Sequence, residues 1–151
     1  MQHFRVHHVA HTLIVMNVFG IGIDVVEVGR IASSLEEFGE RFVTRIFTER
    51  ERDYCAAKAK PELHFAARFA AKEAVAKALG TGIGKEIGWL DMEVVRGDSG
   101  EPTMQLSGKA LLFCEAHGIR EIKISLTHAR EYAAANAVAL CGAQGVQVGN
   151  G

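Results

Sequence analysis

Asp24, Glu73 and Lys77 are the residues of this chain whose types and settings could do chemistry together. Asp24 falls in the apolar run 18–26. Glu73 and Lys77 stand four apart in Arg68-Phe69-Ala70-Ala71-Lys72-Glu73-Ala74-Val75-Ala76-Lys77-Ala78-Leu79. Two carboxylates on rigid elements make a minimal site for Mg²⁺, which takes oxygen ligands, keeps several waters and commonly binds through one or two carboxylates plus substrate phosphates. A lysine one helical turn beyond the second carboxylate could stabilise a leaving oxyanion or hand it a proton. Gly80-Thr81-Gly82-Ile83-Gly84 follows at once, and its backbone N–H groups could cradle phosphate or serve a turn alone. The spacing points to a Mg-dependent phosphoryl-type site. Two plainer roles stay open: an i,i+4 ion pair for Glu73 and Lys77, and a helix cap for Asp24.

These groups need a helix and a strand to hold them. From His64 to Leu79 the spacing predicts one helix, because no Pro or Gly interrupts it, seven of its residues are alanine, and Gly80 stands where a left-handed cap belongs. Phe65, Phe69, Ala76 and Leu79 form one stripe and alanine covers most of the rest, so the helix is expected to be buried on most sides. Its charges Arg68, Lys72, Glu73 and Lys77 then lack a solvated face, and a buried charge needs a partner, a metal or a ligand. The run 18–26 alternates as a strand, with Phe19, Ile21, Ile23 and Val25 on one face. Gly20 and Gly22 hollow the other face beside Asp24, so a neighbour can approach the backbone there. Gly20-Ile21-Gly22 is not a dinucleotide fingerprint, since Val25 stands where the third glycine would be.

Around this centre, Glu27 to Phe38 reads as a helix closed by Gly39, and Arg41 to Phe47 as a short helix or turn. Thr48 with Glu51 makes a capping box for a further helix to about Ala59, and Pro61 separates it from the central helix. Trp89 to Val95 and Pro102 to Leu106 read as a hairpin about Gly97-Asp98-Ser99-Gly100. Ser107 starts a helix that Gly118 closes. Glu121 to Leu126 and Tyr132 to Leu140 form a second hairpin around Thr127-His128-Ala129-Arg130, with Ala133, Ala135, Ala137 and Ala139 making one face of the last strand smooth. The expected fold is α+β, an antiparallel sheet packed on the long central Ala-rich helix.

A chain of 151 residues is one domain with limited room for a large cleft inside one subunit. A net charge of −1 argues against general nucleic-acid binding. Cys55, Cys114 and Cys141 are odd in number and lack a CxxC pair, as expected of reduced core thiols in a cytosolic protein. The apolar stretch from Val9 to Phe19 is too short to span a membrane and lacks a small-residue cleavage site. Residues 1–15 carry four of the seven histidines without a clear period and are expected to be a disordered extension. The domain is expected over 16–141, followed by a disordered tail over 142–151.

Four segments in this order and spacing, Gly20-Ile21-Gly22-Ile23-Asp24, Arg68-Phe69-Ala70-Ala71-Lys72-Glu73-Ala74, Gly80-Thr81-Gly82-Ile83-Gly84 and Ser125-Leu126-Thr127-His128, resemble the holo-acyl-carrier-protein synthases, the small trimeric class of 4′-phosphopantetheinyl transferases. The resemblance runs from about Val18 to Leu140. It implies that family's fold, cytoplasmic location, a homotrimer and a role in fatty acid biosynthesis. It also implies Mg-dependent transfer of 4′-phosphopantetheine from coenzyme A to a serine of apo acyl carrier protein, with release of adenosine 3′,5′-bisphosphate. By the same resemblance, Asp24 and Glu73 bind the metal, Glu73 also activates the carrier serine directly or through water, and Lys77 assists the leaving phosphate. His128 matches the family histidine near the coenzyme; Arg68, Lys72, Gly80, Thr81 and Gly82 are further candidate coenzyme contacts. Arg30, Arg41 and Arg45, the last two in a stretch with six Lys/Arg against three Asp/Glu between Arg41 and Lys60, would face the acidic carrier. The extension before Met16 departs from the usual family start. The competing enzyme is a Mg-dependent hydrolase of a nucleotide pyrophosphate, which would share the carboxylates and Lys77 but use water. A non-catalytic relative would be expected to lose Asp24, Glu73 or Lys77, and all three are present.

Overall fold

A computed structural model describes residues 16–142; the expectations for residues 1–15 and 143–151 lie outside the described residues. β1 (Met16–Glu27) leads into α1 (Val28–Phe38), α2 (Glu40–Ile46) and α3 (Glu49–Ala56), and α4 (Pro61–Leu79) follows. A 3₁₀ turn over Trp89–Asp91 precedes β2 (Met92–Arg96) and β3 (Pro102–Leu106). Then come α5 (Gly108–Ala116), β4 (Ile119–His128) and β5 (Tyr132–Gly142). The main antiparallel sheet has the order β1-β5-β4, and β2 and β3 form a separate hairpin.

Helix and sheet meet through small residues. Ala133, Ala135, Ala137 and Ala139 of β5 are buried, as are Ala70, Ala71, Ala74 and Ala78 of α4. Gly20 and Gly22 of β1 stand opposite Ala139 and Ala137. A Cβ at Gly20 would run into the Ala78 carbonyl, and one at Gly22 into the Ala74 carbonyl. The alternation along β1 therefore turns Gly20, Gly22 and Asp24 towards α4. The opposite row, with Ile21 72%, Ile23 65% and Val25 60% exposed, is left open. A second apolar cluster, Val28, Ile31, Val43, Ile46, Phe47 and Phe65, fastens α1 to α3 over the first half of α4.

The α+β architecture follows the sequence expectation, with three local corrections. Pro61 does not stand outside α4 but opens it at the first helical position, where its missing N–H costs nothing. Trp89 to Asp91 is a 3₁₀ turn, not strand, because the Asp91 carboxylate accepts the Gly88 N–H at 2.8 Å and the Asp91 N–H returns to the Gly88 carbonyl. Thr127 and His128 belong to β4, and the turn falls after them, where the Ala129 N–H reaches the Tyr132 carbonyl at 2.7 Å. The capping box forms as expected: Thr48 accepts the Glu51 N–H, and Glu51 Oε2 accepts the Thr48 N–H. Gly80 closes α4 at φ 72°.

The glycines divide sharply. Gly22→Ala must push β1 off α4 and should cost about 2 kcal/mol or more, roughly 4–8 °C in melting temperature. Gly29→Ala in α1, which meets nothing within 4 Å, should instead hold or raise stability. Calorimetry of the two variants checks this; equal melting temperatures would contradict the close-contact account.

Candidate active site

A cleft of about 300 Å³ lies between β1, α1 and α4, lined by Asp24, Arg30, Ile31, Phe42, Phe69 and Glu73 among others. β1 brings Asp24 there by its alternation. α4 brings Glu73 on the side turned to β1. Lys77 donates to Asp24 Oδ1 at 3.1 Å and to the Ile23 carbonyl at 2.9 Å. The helix is buried on most sides as expected, but its last charge is not: the Lys77 side chain is 55% exposed and Asp24 17%. Burial pushes the Glu73 carboxyl above its ordinary range, the Asp24 charge pushes it further, and Lys77 pulls it back only in part. Two carboxylates thus share one partly used ammonium.

That imbalance suits a hard divalent cation. No group of three or more His, Cys, Asp or Glu able to hold a metal occurs among the described residues. A cation at Asp24 and Glu73 would complete its shell with water and substrate oxygens, the habit of Mg²⁺. The donor set therefore fits the ion.

A second, cationic pocket of about 150 Å³ lies elsewhere on α4, lined by His64, Arg68, Val94, Arg96, Leu126 and His128 among others. The Arg68 guanidinium stacks 4.1 Å over the Tyr54 ring, and its buried Nε has no partner among the described residues. Arg96 Nε donates to the Tyr54 hydroxyl at 2.9 Å. Burial alone would push the Tyr54 phenol up, but that hydrogen bond and the charges of Arg96, Lys58 and Arg68 outweigh it and bring it down. His64 is pulled down by burial and then by His128, Arg68, Lys58 and Arg96, and its ring meets that of His128 edge-on at 5.2 Å. Such a concentration of positive charge around an orphaned guanidinium N–H is what an anionic group needs. Five positions separate Arg68 from Glu73, about 140° around the helix, so the two pockets share no lining residue.

The remaining candidates divide. Arg30 lines the carboxylate cleft. Arg41 and Arg45 line a groove of about 620 Å³ with Phe38, Phe42, Ile46 and Trp89, and Phe42 is common to groove and cleft. Gly80 and Thr81 have spent their N–H groups closing α4 on the carbonyls of Lys77 and Ala76. Lys72 is wholly buried, and its ammonium serves Ile46, Glu51 and Trp89, leaving no donor for a coenzyme in this geometry. A cavity of about 540 Å³ between β3 and β4 shares no residue with the cleft. Sequence reasoning missed Tyr54, His64 and Arg96, which come together from α3, α4 and β2 and carry no local motif.

A phosphate-handling transferase is the class that a carboxylate pair with a lysine, an anion pocket and a basic groove define. The model of the 4′-phosphopantetheinyl transferase superfamily matches residues 20–137. A Chlamydia trachomatis serovar D holo-acyl-carrier-protein synthase is 50% identical over 121 residues, 80% of this chain and 98% of that one. The holo-acyl-carrier-protein synthase from Neisseria meningitidis superposes with TM-score 0.76 at 32% identity, over 82% of this chain and 98% of that one. That from Bacillus anthracis, solved in complex with CoA (3′,5′-ADP), gives 0.70 at 37% identity, over 84% and 99%. The chain belongs to the holo-acyl-carrier-protein synthase family of phosphopantetheinyl transferases.

The raised titration of Glu73 should depend on its neighbour. In metal-free protein, Asp24→Asn removes one negative charge beside Glu73, so Glu73 should release its proton at lower pH, read from its carboxyl ¹³C shift. An unmoved titration would mean that the two carboxylates do not share a cleft.

Proposed function

We propose that this enzyme transfers 4′-phosphopantetheine from coenzyme A to a serine of apo acyl carrier protein, with Mg²⁺, giving holo carrier and adenosine 3′,5′-bisphosphate. The observation that carries it is the Asp24–Glu73–Lys77 cluster beside a cleft that shares the wall residue Phe42 with a groove rimmed by Arg41 and Arg45. A hydrolase needs the cluster but has no use for an arginine-rimmed apolar groove beside it. An acidic carrier does, since complementary charge steers encounter and fixes register.

Asp24 and Glu73 would hold the ion, which supplies charge neutralisation to the pyrophosphate. Glu73, in the cleft with Asp24, would take the proton of the serine hydroxyl, directly or through water. The serine oxygen then bonds to the phosphorus that bears pantetheine as the bond to the bridging oxygen breaks. The leaving phosphate carries the electron pair away, and the half-exposed Lys77 ammonium stands ready to offset its charge. Arg68 and His128 would take a phosphate of the coenzyme.

We also infer a homotrimer with shared sites, the assembly the family resemblance implies. The open row Ile21, Ile23 and Val25 is an apolar face of the kind that marks a subunit contact. The anion pocket and the carboxylate cleft lie on different sides of α4, so one coenzyme could use both by spanning neighbouring subunits in a closed ring. With such a carrier as its substrate, the enzyme would serve fatty acid biosynthesis. A cytoplasmic setting agrees with its thiols, since Cys55, Cys114 and Cys141 are all free.

Incubating protein, CoA, Mg²⁺ and apo carrier should add one phosphopantetheine to the carrier by mass spectrometry, with no CoA cleavage when the carrier is omitted. Cleavage without carrier would favour the hydrolase. Asp24→Ala and Glu73→Ala should each lower transfer on the order of 10²-fold or more while remaining folded. In the same assay, mixing inactive Glu73→Ala with inactive Arg68→Ala should restore part of the activity, and no recovery from a verified mixed trimer would place each site within one subunit.

A further inference from the structure

Lys72 and Glu51 are buried charges that the proposed reaction leaves unused. The Lys72 ammonium divides its protons among three elements. It donates to the carbonyl of Ile46, the last residue of α2, at 2.7 Å, to Glu51 Oε2 in the first turn of α3 at 2.7 Å, and to the Trp89 carbonyl at 3.1 Å. Glu51 is as fully engaged. Its Oε2 also takes the Thr48 N–H at 2.9 Å, and its Oε1 takes the Val94 N–H of β2 at 2.8 Å.

What these bonds hold in place is the wall of the groove and the cleft. Trp89 lines the groove with Phe38, Arg41, Arg45 and Ile46. Its ring stacks on Phe69 of α4 at 5.0 Å, and Phe69 lines the cleft with Asp24 and Glu73. Lys72 itself is the residue next to Glu73. One ammonium therefore anchors the end of α2, the Trp89 segment and the helix carrying the reactive carboxylate. Stability alone gives little reason for the charges, since a buried ion pair is often matched or bettered by apolar residues of equal volume. A fixed geometry does give one.

We propose that Lys72, with Glu51 as its counter-ion, is a positioning residue that sets α2 and the Trp89–Phe69 wall in register with Glu73, so that a carrier docked on α2 presents its serine to the carboxylate cleft. This rests on α2 being the carrier-docking helix. Lys72 touches neither substrate and does not line the coenzyme pocket at Arg68 and His128; the clamp meets that pocket only through the Val94 N–H on Glu51, a bond that a glutamine amide oxygen can still accept. Loss of the clamp should therefore fall on the carrier and spare the coenzyme.

The test is the double variant Glu51→Gln/Lys72→Met, which removes both charges together and avoids stranding one. Expected are a folded protein, a carrier KM raised about tenfold, a coenzyme Kd within about twofold of wild type, and altered emission from Trp89, the single tryptophan. A merely structural role would lower kcat through the folded fraction and leave the carrier KM in place, and that result would overturn the proposal. So would an equal loss for coenzyme and carrier. If the double variant does not fold, amide exchange of the wild-type protein decides. Carrier binding should slow exchange at residues 89–91 as well as in α2, and protection confined to α2 contradicts the clamp. Arg45→Glu is the control for the underlying docking: an unchanged carrier KM there would remove α2 as the docking helix, whereas a raised one with an unmoved clamp variant would remove only the role of Lys72.

Discussion

The backbone of β1 lies directly on the backbone of α4, and everything functional follows from that contact. Gly20 and Gly22 leave no Cβ between strand and helix, and the carbonyls of Ala78 and Ala74 occupy the space that a side chain would need. The alanines of β5 continue the same close approach across the sheet. Because strand side chains alternate, the face that carries the two glycines also carries Asp24. The contact that lets the layers meet thereby delivers one carboxylate to the helix that holds the other.

A helix buried on most sides has little polar face on which to leave charge, so each of the four charges from Arg68 to Lys77 must find its own partner. Arg68 stacks on Tyr54, lines the anion pocket, and its buried Nε has no partner among the described residues. Lys72 is consumed inside the protein by Glu51 and two carbonyls. Glu73 stays in the cleft against Asp24, with its acidity weakened by burial first and by that neighbour second. Lys77 reaches the surface and ties back to Asp24. Four side chains within three turns thus supply the proposed anion site, the internal Lys72–Glu51 pair and the proposed cation site, separated by their angles around one axis.

Much of this was legible in the sequence because it is local. The Ala-rich run, the left-handed Gly80 cap, the Thr48 and Glu51 capping box and the hollowed face of β1 all rest on spacings of a few residues, and the structure reproduces them. What escaped depends on distance along the chain. Glu51 is 21 residues from Lys72, so its cap role could be read while its second role, as the buried counter-ion, could not. Trp89 looked like strand by composition, but the Asp91 side chain, closing on the Gly88 N–H, bends it into a turn. The expectation that α4 would bury all its charges failed at Lys77, where the helix end emerges. The anion pocket draws on α4, β2, β3 and β4, and no single stretch announces it.

The central claim is that the β1–α4 contact makes Asp24 and Glu73 two ligands of one cation. The most direct measurement is crystallography of the protein with coenzyme A and Mn²⁺ in place of Mg²⁺, locating the ion by its anomalous signal. One ion should stand within about 2.2 Å of an oxygen of each carboxylate, with water or phosphate oxygens filling the rest of its shell. An ion held by only one of the two, or bound elsewhere with both carboxylates free of it, would contradict the claim.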